Sequence, residues 1–262
     1  MNTNEIKKHM NNDKFFVFAY DTVGSTNTLL KEMANDNAEE FTVVVANHQT
    51  NGRGRKDRTF FSPKNTGLYF SLLLRPNIPP DKALYLTTCA SVCCARAIED
   101  ISGEKAQIKW VNDVYVNNHK VCGILTEASF STQEKLDYAV VGIGLNVFTP
   151  KEDFPLDLQN KAGSILNRAN DEVRWKLFSN ILNYFDKYYP TLEKKQFIDE
   201  YKNRSMITGK KIEILGREEN NIATAVGIND DFSLRVLYPD GAYEDLNSGD
   251  VSIIPTMKPL DK

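Results

Sequence analysis

Residues 41–58 read Phe41-Thr-Val-Val-Val-Ala-Asn-His-Gln-Thr-Asn-Gly-Arg-Gly-Arg-Lys-Asp-Arg58. The first six are dense in β-branched side chains and read as a buried strand. The strand then runs into a polar loop with glycine at alternate positions, Gly52 and Gly54, each followed by an arginine. Glycine lets backbone amides approach an anion closely, because no Cβ intervenes. Arg53 and Arg55 add fork-shaped donors suited to phosphate or carboxylate. A solvated basic hairpin would read the same way, and so would an arginine-rich loop on RNA phosphate. Walker A is excluded at the one lysine that follows a glycine, Lys210, because Arg204 stands where that motif needs its first glycine.

Working outward, the spacing predicts strands over Phe15–Tyr20 and Leu68–Leu74, with a helix after Ser25-Thr26-Asn27, where a hydroxyl precedes Leu29, Leu30 and Met33. Leu86, Ala90, Cys93, Ala97 and Ile101 step by three or four, giving a helix across Asp81–Ile101 with one buried face. Strands are expected around Gln107–Trp110, Val121–Ala128 and Tyr138–Val147. A second amphipathic helix spans Val173–Tyr188 and stops before Pro190. The residues before Lys14 are polar and expected to fray. From Lys210 onward the pattern changes to short strand-like runs separated by turn signals, with no helical period between them. The expected class is therefore α+β followed by a small all-β unit, divided into residues 1–206 and 207–262.

Composition narrows the function. Of 262 residues, 41% are hydrophobic and 26% charged, which suits a packed globular chain rather than a disordered one. Lys and Arg total 32 against 35 Asp and Glu, a net charge of −3, so the basic excess of a general nucleic-acid or membrane-surface binder is missing. The acidic residues of the tail, among them Glu218, Glu219, Asp230, Asp231, Asp240, Glu244, Asp245 and Asp250, oppose a nucleic-acid role for that unit. No apolar run is long enough for a membrane span, and the N-terminus lacks a signal-peptide core. Cys89, Cys93, Cys94 and Cys122 form no C-x-x-C and stand at no zinc-type spacing from the histidines, which fits buried reduced thiols in a cytoplasmic protein.

Two further stretches could carry chemistry. In Lys109-Trp110-Val111-Asn112-Asp113 and Lys120-Val121-Cys122-Gly123-Ile124-Leu125, a strand, turn and returning strand would bring Asp113 near Lys120. Such a pair is also what an ordinary surface salt bridge looks like, and Trp110 is equally at home in a core. Gly123 inside an apolar strand removes a side chain where something approaches the backbone. In Val141-Gly142-Ile143-Gly144-Leu145-Asn146, two glycines weaken a strand, so close packing or ligand contact must compensate. The dinucleotide fingerprint is absent, since Val147 replaces its third glycine.

Taken in order, Ser25-Thr26-Asn27, Gln49 with Gly52-Arg53-Gly54-Arg55, Ser62-Pro63, Leu68-Tyr69-Phe70-Ser71, Lys109-Trp110-x-Asn112-Asp113, Lys120-x-x-Gly123-Ile124-Leu125 and Gly142-Ile143-Gly144-x-Asn146 resemble the biotin–protein ligases over about residues 15–254. The resemblance implies a catalytic unit like the class II aminoacyl-tRNA synthetases, followed by a Src-homology-3-like barrel. It implies activation of biotin with ATP and Mg²⁺ to biotinyl-5′-adenylate, then transfer to a lysine of a biotin carboxyl carrier domain. It further implies that Lys120, Arg55 and Asp113 are catalytic, with Asp113 taking the acceptor lysine's proton. Biotin would be held by Ser25, Thr26, Asn27, Gln49, Arg53, Gly54, Arg55, Lys120 and Gly123. ATP would be held by Arg53, Trp110, Asn112, Lys120 and Asn146, and the metal by the ATP phosphates rather than by protein ligands.

A glycine–arginine loop that is loose without ligand and closes on it would shield a mixed anhydride from water. Asp57, Phe60 and Val111 depart from the family's usual glycine, tryptophan and proline. So few residues precede Phe15 that a DNA-binding repressor unit is not expected, and neither a nucleic-acid nor a membrane partner is. Monomer and homodimer both fit. A lipoate or octanoate ligase of related fold, a silent biotin sensor and a nucleic-acid-binding module remain as alternatives.

Overall fold

The computed structural model describes residues 2–131, 136–168 and 170–254; Met1 and the last eight residues of the expected tail unit lie outside them. Seven strands form a mixed sheet: β1 (Phe16–Val23), β2 (Thr42–Gln49), β3 (Gly67–Leu74), β4 (Ala106–Lys109), β5 (Asp113–Val116), β6 (His119–Phe130) and β7 (Leu136–Asn146). Their order is β1-β2-β3-β7-β6-β5-β4, with β1 and β2 parallel and the remaining neighbours antiparallel. A separate five-stranded antiparallel sheet follows, in the order β11-β10-β9-β8-β12. Its strands are β8 (Lys211–Leu215), β9 (Ile222–Ile228), β10 (Leu234–Leu237), β11 (Tyr243–Leu246) and β12 (Asp250–Ile253).

Strand alternation sorts the large sheet into two faces. Leu68, Phe70, Leu72 and Leu74 of β3, with Val141, Ile143 and Leu145 of β7, pack into the main core. Two long helices cover that face, α3 (Leu84–Ser102) and α4 (Asp171–Tyr188), both contributing buried side chains to it. The intervening residues point the other way. There α2 (Thr26–Asn35) closes a small cluster of Leu30, Ala34, Val44, Leu73, Tyr138 and Val140, and the rest of that face is left to polar residues and glycines.

Several local expectations are corrected. The chain does not begin with a frayed segment: α1 (Thr3–Lys7) is capped by Asn2 and fully buries Ile6. The helix expected from Asp81 starts three residues later, after a 3₁₀ turn at Pro80–Lys82. Asn170 caps α4 by accepting from the Val173 amide. Besides α1, three further short elements were not read from the sequence: β5, α5 (Ile198–Asn203) and β11. Each is four to six residues long, too short to show a period.

The two sheets share one continuous apolar core. Phe232 of the tail is fully buried. It stacks on Phe197 with ring centroids 5.4 Å apart and meets the edges of Tyr85 and Tyr201. The Trp110 indole N–H donates to the Phe232 carbonyl at 2.9 Å. All four cysteines are free and buried, and burial pushes the Cys93 and Cys122 thiols well up, so they stay protonated. Among the described residues no helix is long and apolar enough to cross a membrane.

Candidate active site

The glycine-rich part of the second sheet face floors a cavity of about 520 Å³. Gly123 of β6 and Gly144 of β7 are direct cross-strand partners. A Cβ on Gly144 would run into the Phe60 ring, and one on Gly123 would sit 3.2 Å from that ring. On Gly142 it would collide with Asn27. The glycines are therefore required by close packing of this chain's own Phe60 and Asn27. Phe60, in place of tryptophan, still provides the aromatic plate.

One wall is a neutral polar cradle. Ser25 precedes α2 in extended backbone (φ −153°), but its hydroxyl makes no capping bond. Gln49 does that work from the end of β2: its Oε1 accepts from the Thr26 amide at 2.9 Å and the Thr26 hydroxyl at 3.1 Å, while its Nε2 donates to Ser62 Oγ at 2.9 Å. Ser71 Oγ donates to Asn27 Oδ1 at 2.5 Å, and Asn27 Nδ2 donates to the Leu125 carbonyl and to Glu127. Ser71 Oγ also lies 2.7 Å from Thr26 Oγ1, so a helix start, two amide side chains and three hydroxyls are locked in one network. Such a set offers fixed donors and acceptors to a planar polar ligand.

The other wall is charged, and most of its cations are held by carboxylates of this chain. Lys120 Nζ lies 2.6 Å from Asp113 Oδ1, as the predicted hairpin requires. The backbone of Lys120 is pinned by hydrogen bonds with Lys161 and Gly163. Arg53 donates to both Glu127 oxygens, at 2.9 and 3.1 Å. Arg55 donates to Asn112 Oδ1 at 3.0 Å and to the Gly249 carbonyl at 2.8 Å, and lies 3.4 Å from Asp250. Arg58 and Lys56 reach the same Asp250 carboxylate at 3.1 and 3.8 Å.

The glycine–arginine segment is held by contacts at both ends. It forms a small hairpin, with Arg53 bridged to Thr59 and the Gly54 amide donating to the Arg58 carbonyl at 2.7 Å, and the tail sheet ties it down. Asp57 has φ +58°, which explains why glycine is usual there; aspartate tolerates this left-handed backbone better than most residues.

Burial works against an ionised Glu127. Hydrogen bonds from Asn27 and Lys31 and the charge of Arg53 outweigh it, and its carboxyl titrates below the usual range. Burial lowers the Lys109 ammonium, with Lys120 adding repulsion and Asp113 opposing. Burial and the Asp113 charge push the Tyr115 phenol up to about 12, so it remains a neutral part of the wall.

Of the residues singled out from the sequence, Ser25, Thr26, Asn27, Gln49, Arg53, Gly54, Arg55, Asn112, Asp113, Lys120 and Gly123 all line this cavity. Trp110 and Asn146 do not. Trp110 is only 3% exposed, with its ring in the core and its N–H spent on Phe232; it is a strut between the sheets and offers no face to adenine. Asn146 is buried at the end of β7, and its carbonyl accepts from the Ile165 amide. Val111, where proline is usual, is buried, and its carbonyl accepts from Tyr201.

The sequence reading missed Glu127 and Asp250. Glu127 was findable, because it follows Gly123 and Leu125 at period two on the same face. Asp250 was not, since nothing near it in the chain relates it to Arg55. Among the described residues, no group of three or more His, Cys, Asp or Glu could hold a metal ion.

Fold and site together define an α+β protein with a cation-walled cavity on a glycine-floored sheet. Residues 19–146 match the Biotin/lipoate A/B protein ligase family. Over 171 residues it is 39% identical to the bifunctional ligase/repressor BirA of Bacillus subtilis, covering 65% of this chain and 52% of that protein. The chain spans about half the length of the curated relatives it matches first. It is 25% identical to the biotin–[acetyl-CoA-carboxylase] ligase of Mycobacterium tuberculosis, covering 73% and 71%. The structure of biotin protein ligase from Aquifex aeolicus in complex with biotin and ATP superposes with a TM-score of 0.73 at 29% identity, covering 92% of this chain and 99% of that one.

Proposed function

We propose that the chain is an ATP-dependent biotin ligase: it activates biotin to biotinyl-5′-adenylate and passes the biotinyl group to a lysine of a biotin carboxyl carrier domain. The observation that carries this reading is the convergence, on one cavity, of the neutral Gln49–Thr26 cradle with Lys120 and Arg55. Biotin has a planar ureido ring that needs fixed donors and acceptors, and a carboxylate that must meet a polyphosphate. Serving both demands takes a neutral pocket beside a cationic one.

In the first step a biotin carboxylate oxygen bonds to the α-phosphorus of ATP, and the bond from that phosphorus to the β-phosphate oxygen breaks, releasing pyrophosphate. Negative charge accumulates where carboxylate and phosphate meet, so Lys120 and Arg55 stabilise it. In the second step the carrier's lysine amine attacks the biotinyl carbonyl carbon, AMP leaves, and a proton must depart from the nitrogen. Asp113 is the group to take it. Its Oδ1 is occupied by Lys120 before substrates arrive, so drawing Lys120 onto the adenylate phosphate would free it. Formation of the adenylate would in this way arm the base for transfer.

The Mg²⁺ implied by the resemblance would arrive on the ATP phosphates. There it would neutralise part of the phosphate charge beside Lys120 and Arg55.

The same reading assigns residues 1–206 to a class II synthetase-like catalytic unit and residues 207–262 to a Src-homology-3-like barrel. It also assigns the chain to the cytoplasm, as a monomer or homodimer. The interlocking of Phe232 and Trp110 supports a tail that works with the catalytic unit rather than apart from it.

The test is ATP–pyrophosphate exchange with Mg²⁺ and biotin, lipoate or octanoate. Exchange with biotin alone is expected; exchange with lipoate or octanoate instead moves the chain to the related ligases, and none at all removes the ligase reading. For the second step, Asp113→Ala should spare exchange and reduce transfer by roughly 10²–10⁴-fold. Equal loss in both would deny Asp113 the role of base.

A further inference from the structure

Every arginine lining the cavity is paired with a carboxylate of this chain, and Lys120 is held by Asp113. Lys109 is different. It lines the same cavity as the last residue of β4, directly opposite Asp113 across the β4–β5 ladder, a separation at which side chains are neighbours. Its ammonium makes no hydrogen bond and no ion pair among the described residues. Lys161, the other unpaired lysine of the wall, is exposed and already solvated.

A half-buried ammonium with no counter-ion is costly, because desolvation is not offset by a partner. It also gains most when an anion arrives, since no internal pair has to be broken. We propose that Lys109 is a binding residue for the triphosphate of ATP, holding the phosphates that leave as pyrophosphate while Lys120 and Arg55 act at the α-phosphate. This assignment rests on the ligase reading above and deepens it. ATP brings about four negative charges into the cavity. The arginines meet them only by giving up Glu127 and Asp250, whereas Lys109 exchanges nothing. The lowering of the Lys109 ammonium by burial and by Lys120 agrees with a group waiting for an anion.

The test compares the unmodified chain with Lys109→Met, which keeps the stem and removes the charge, and with Lys109→Arg, which keeps the charge. Calorimetric affinities are measured for α,β-methylene-ATP and separately for biotin, and transfer is measured from preformed biotinyl-5′-adenylate to a carrier domain. Loss of a charged contact predicts nucleotide binding weakened at least about tenfold in Lys109→Met and largely kept in Lys109→Arg. Biotin affinity is expected to hold within about twofold, the margin of a residue outside that subsite.

Nucleotide affinity unchanged in Lys109→Met would overturn the proposal. So would a parallel loss of nucleotide, biotin and transfer, which marks a structural lysine. Should Lys109→Met fail to fold, Lys109→Gln replaces it with the same criteria. If the unmodified chain binds nucleotide but shows no biotin-dependent exchange, the ligase reading fails, and Lys109 is still judged on nucleotide affinity.

Discussion

The two faces of the seven-stranded sheet are made from the same strands and have opposite character. On one, Leu68, Phe70, Leu72 and Leu74 of β3 meet Val141, Ile143 and Leu145 of β7 beneath two helices, buried in the main core. On the other, Tyr69 and Ser71 alternate with those leucines, and Gly142 and Gly144 alternate with the valine and isoleucine. The first face supplies stability through buried apolar area. The second gives some of that area up for glycines packed under Phe60 and Asn27, a locked amide–hydroxyl network and ion pairs, and carries the cavity. Residues one apart in sequence therefore answer to different requirements, and substitutions on the two faces should fail in different ways.

The sharpest way to break this contrast is to pair one substitution from each face. Lys120→Ala should leave the melting temperature nearly unchanged and reduce biotin-dependent exchange by on the order of 10²–10³-fold. Leu72→Ala should do the reverse, costing about 2–5 kcal/mol by denaturant unfolding with the KM for biotin unchanged. If Leu72→Ala moved KM as strongly as stability, the faces would not be separable.

Gly144→Val tests the floor. Its side chain must displace the Phe60 ring, so a stability loss of about 1–3 kcal/mol should come together with weaker biotin binding. Asp250→Asn tests the tail's grip on the glycine–arginine hairpin. Removing the charge shared by Arg55, Arg58 and Lys56 should raise amide exchange in residues 52–60 at least about tenfold without ligand, with biotin restoring part of the protection.

The smallest effect concerns acid. Because the Glu127 carboxyl titrates lower when folded, its ionisation stabilises the fold above the ordinary carboxylate pKa. That contribution disappears as pH falls through the lowered native value. The stability gap between the parent and Glu127→Gln should accordingly be full at neutral pH and close on acidification. A gap independent of pH would show that the carboxylate's charge is not what matters there.

Much of this arrangement was legible in advance, for reasons of spacing. Strands β2, β3, β6 and β7 announce themselves because each contains a continuous run of apolar and β-branched residues, as a strand buried on both faces does. The hairpin pair Asp113–Lys120 follows from chain connectivity alone. Residues at motif spacing, such as Gln49 with Arg53 and Arg55, do reach one cavity. Trp110 defeated the sequence reading because an aromatic beside a site motif looks identical whether it faces a ligand or a core. The two were separated only by its hydrogen bond to Phe232, 122 positions away. The hold of Asp250 on Arg55 was hidden for the same reason.

The sequence by itself determined the α+β order, the all-β tail and the location of the glycine–arginine segment. These follow from periodicity, turn chemistry and local spacing, which act over a few residues. Only the tertiary structure decided which carboxylate holds which cation, that the glycines make room for Phe60 and Asn27, and that Lys109 is left without a counter-ion. Those outcomes depend on contacts between segments far apart in the chain, and burial and pairing energies exist only once such segments have met.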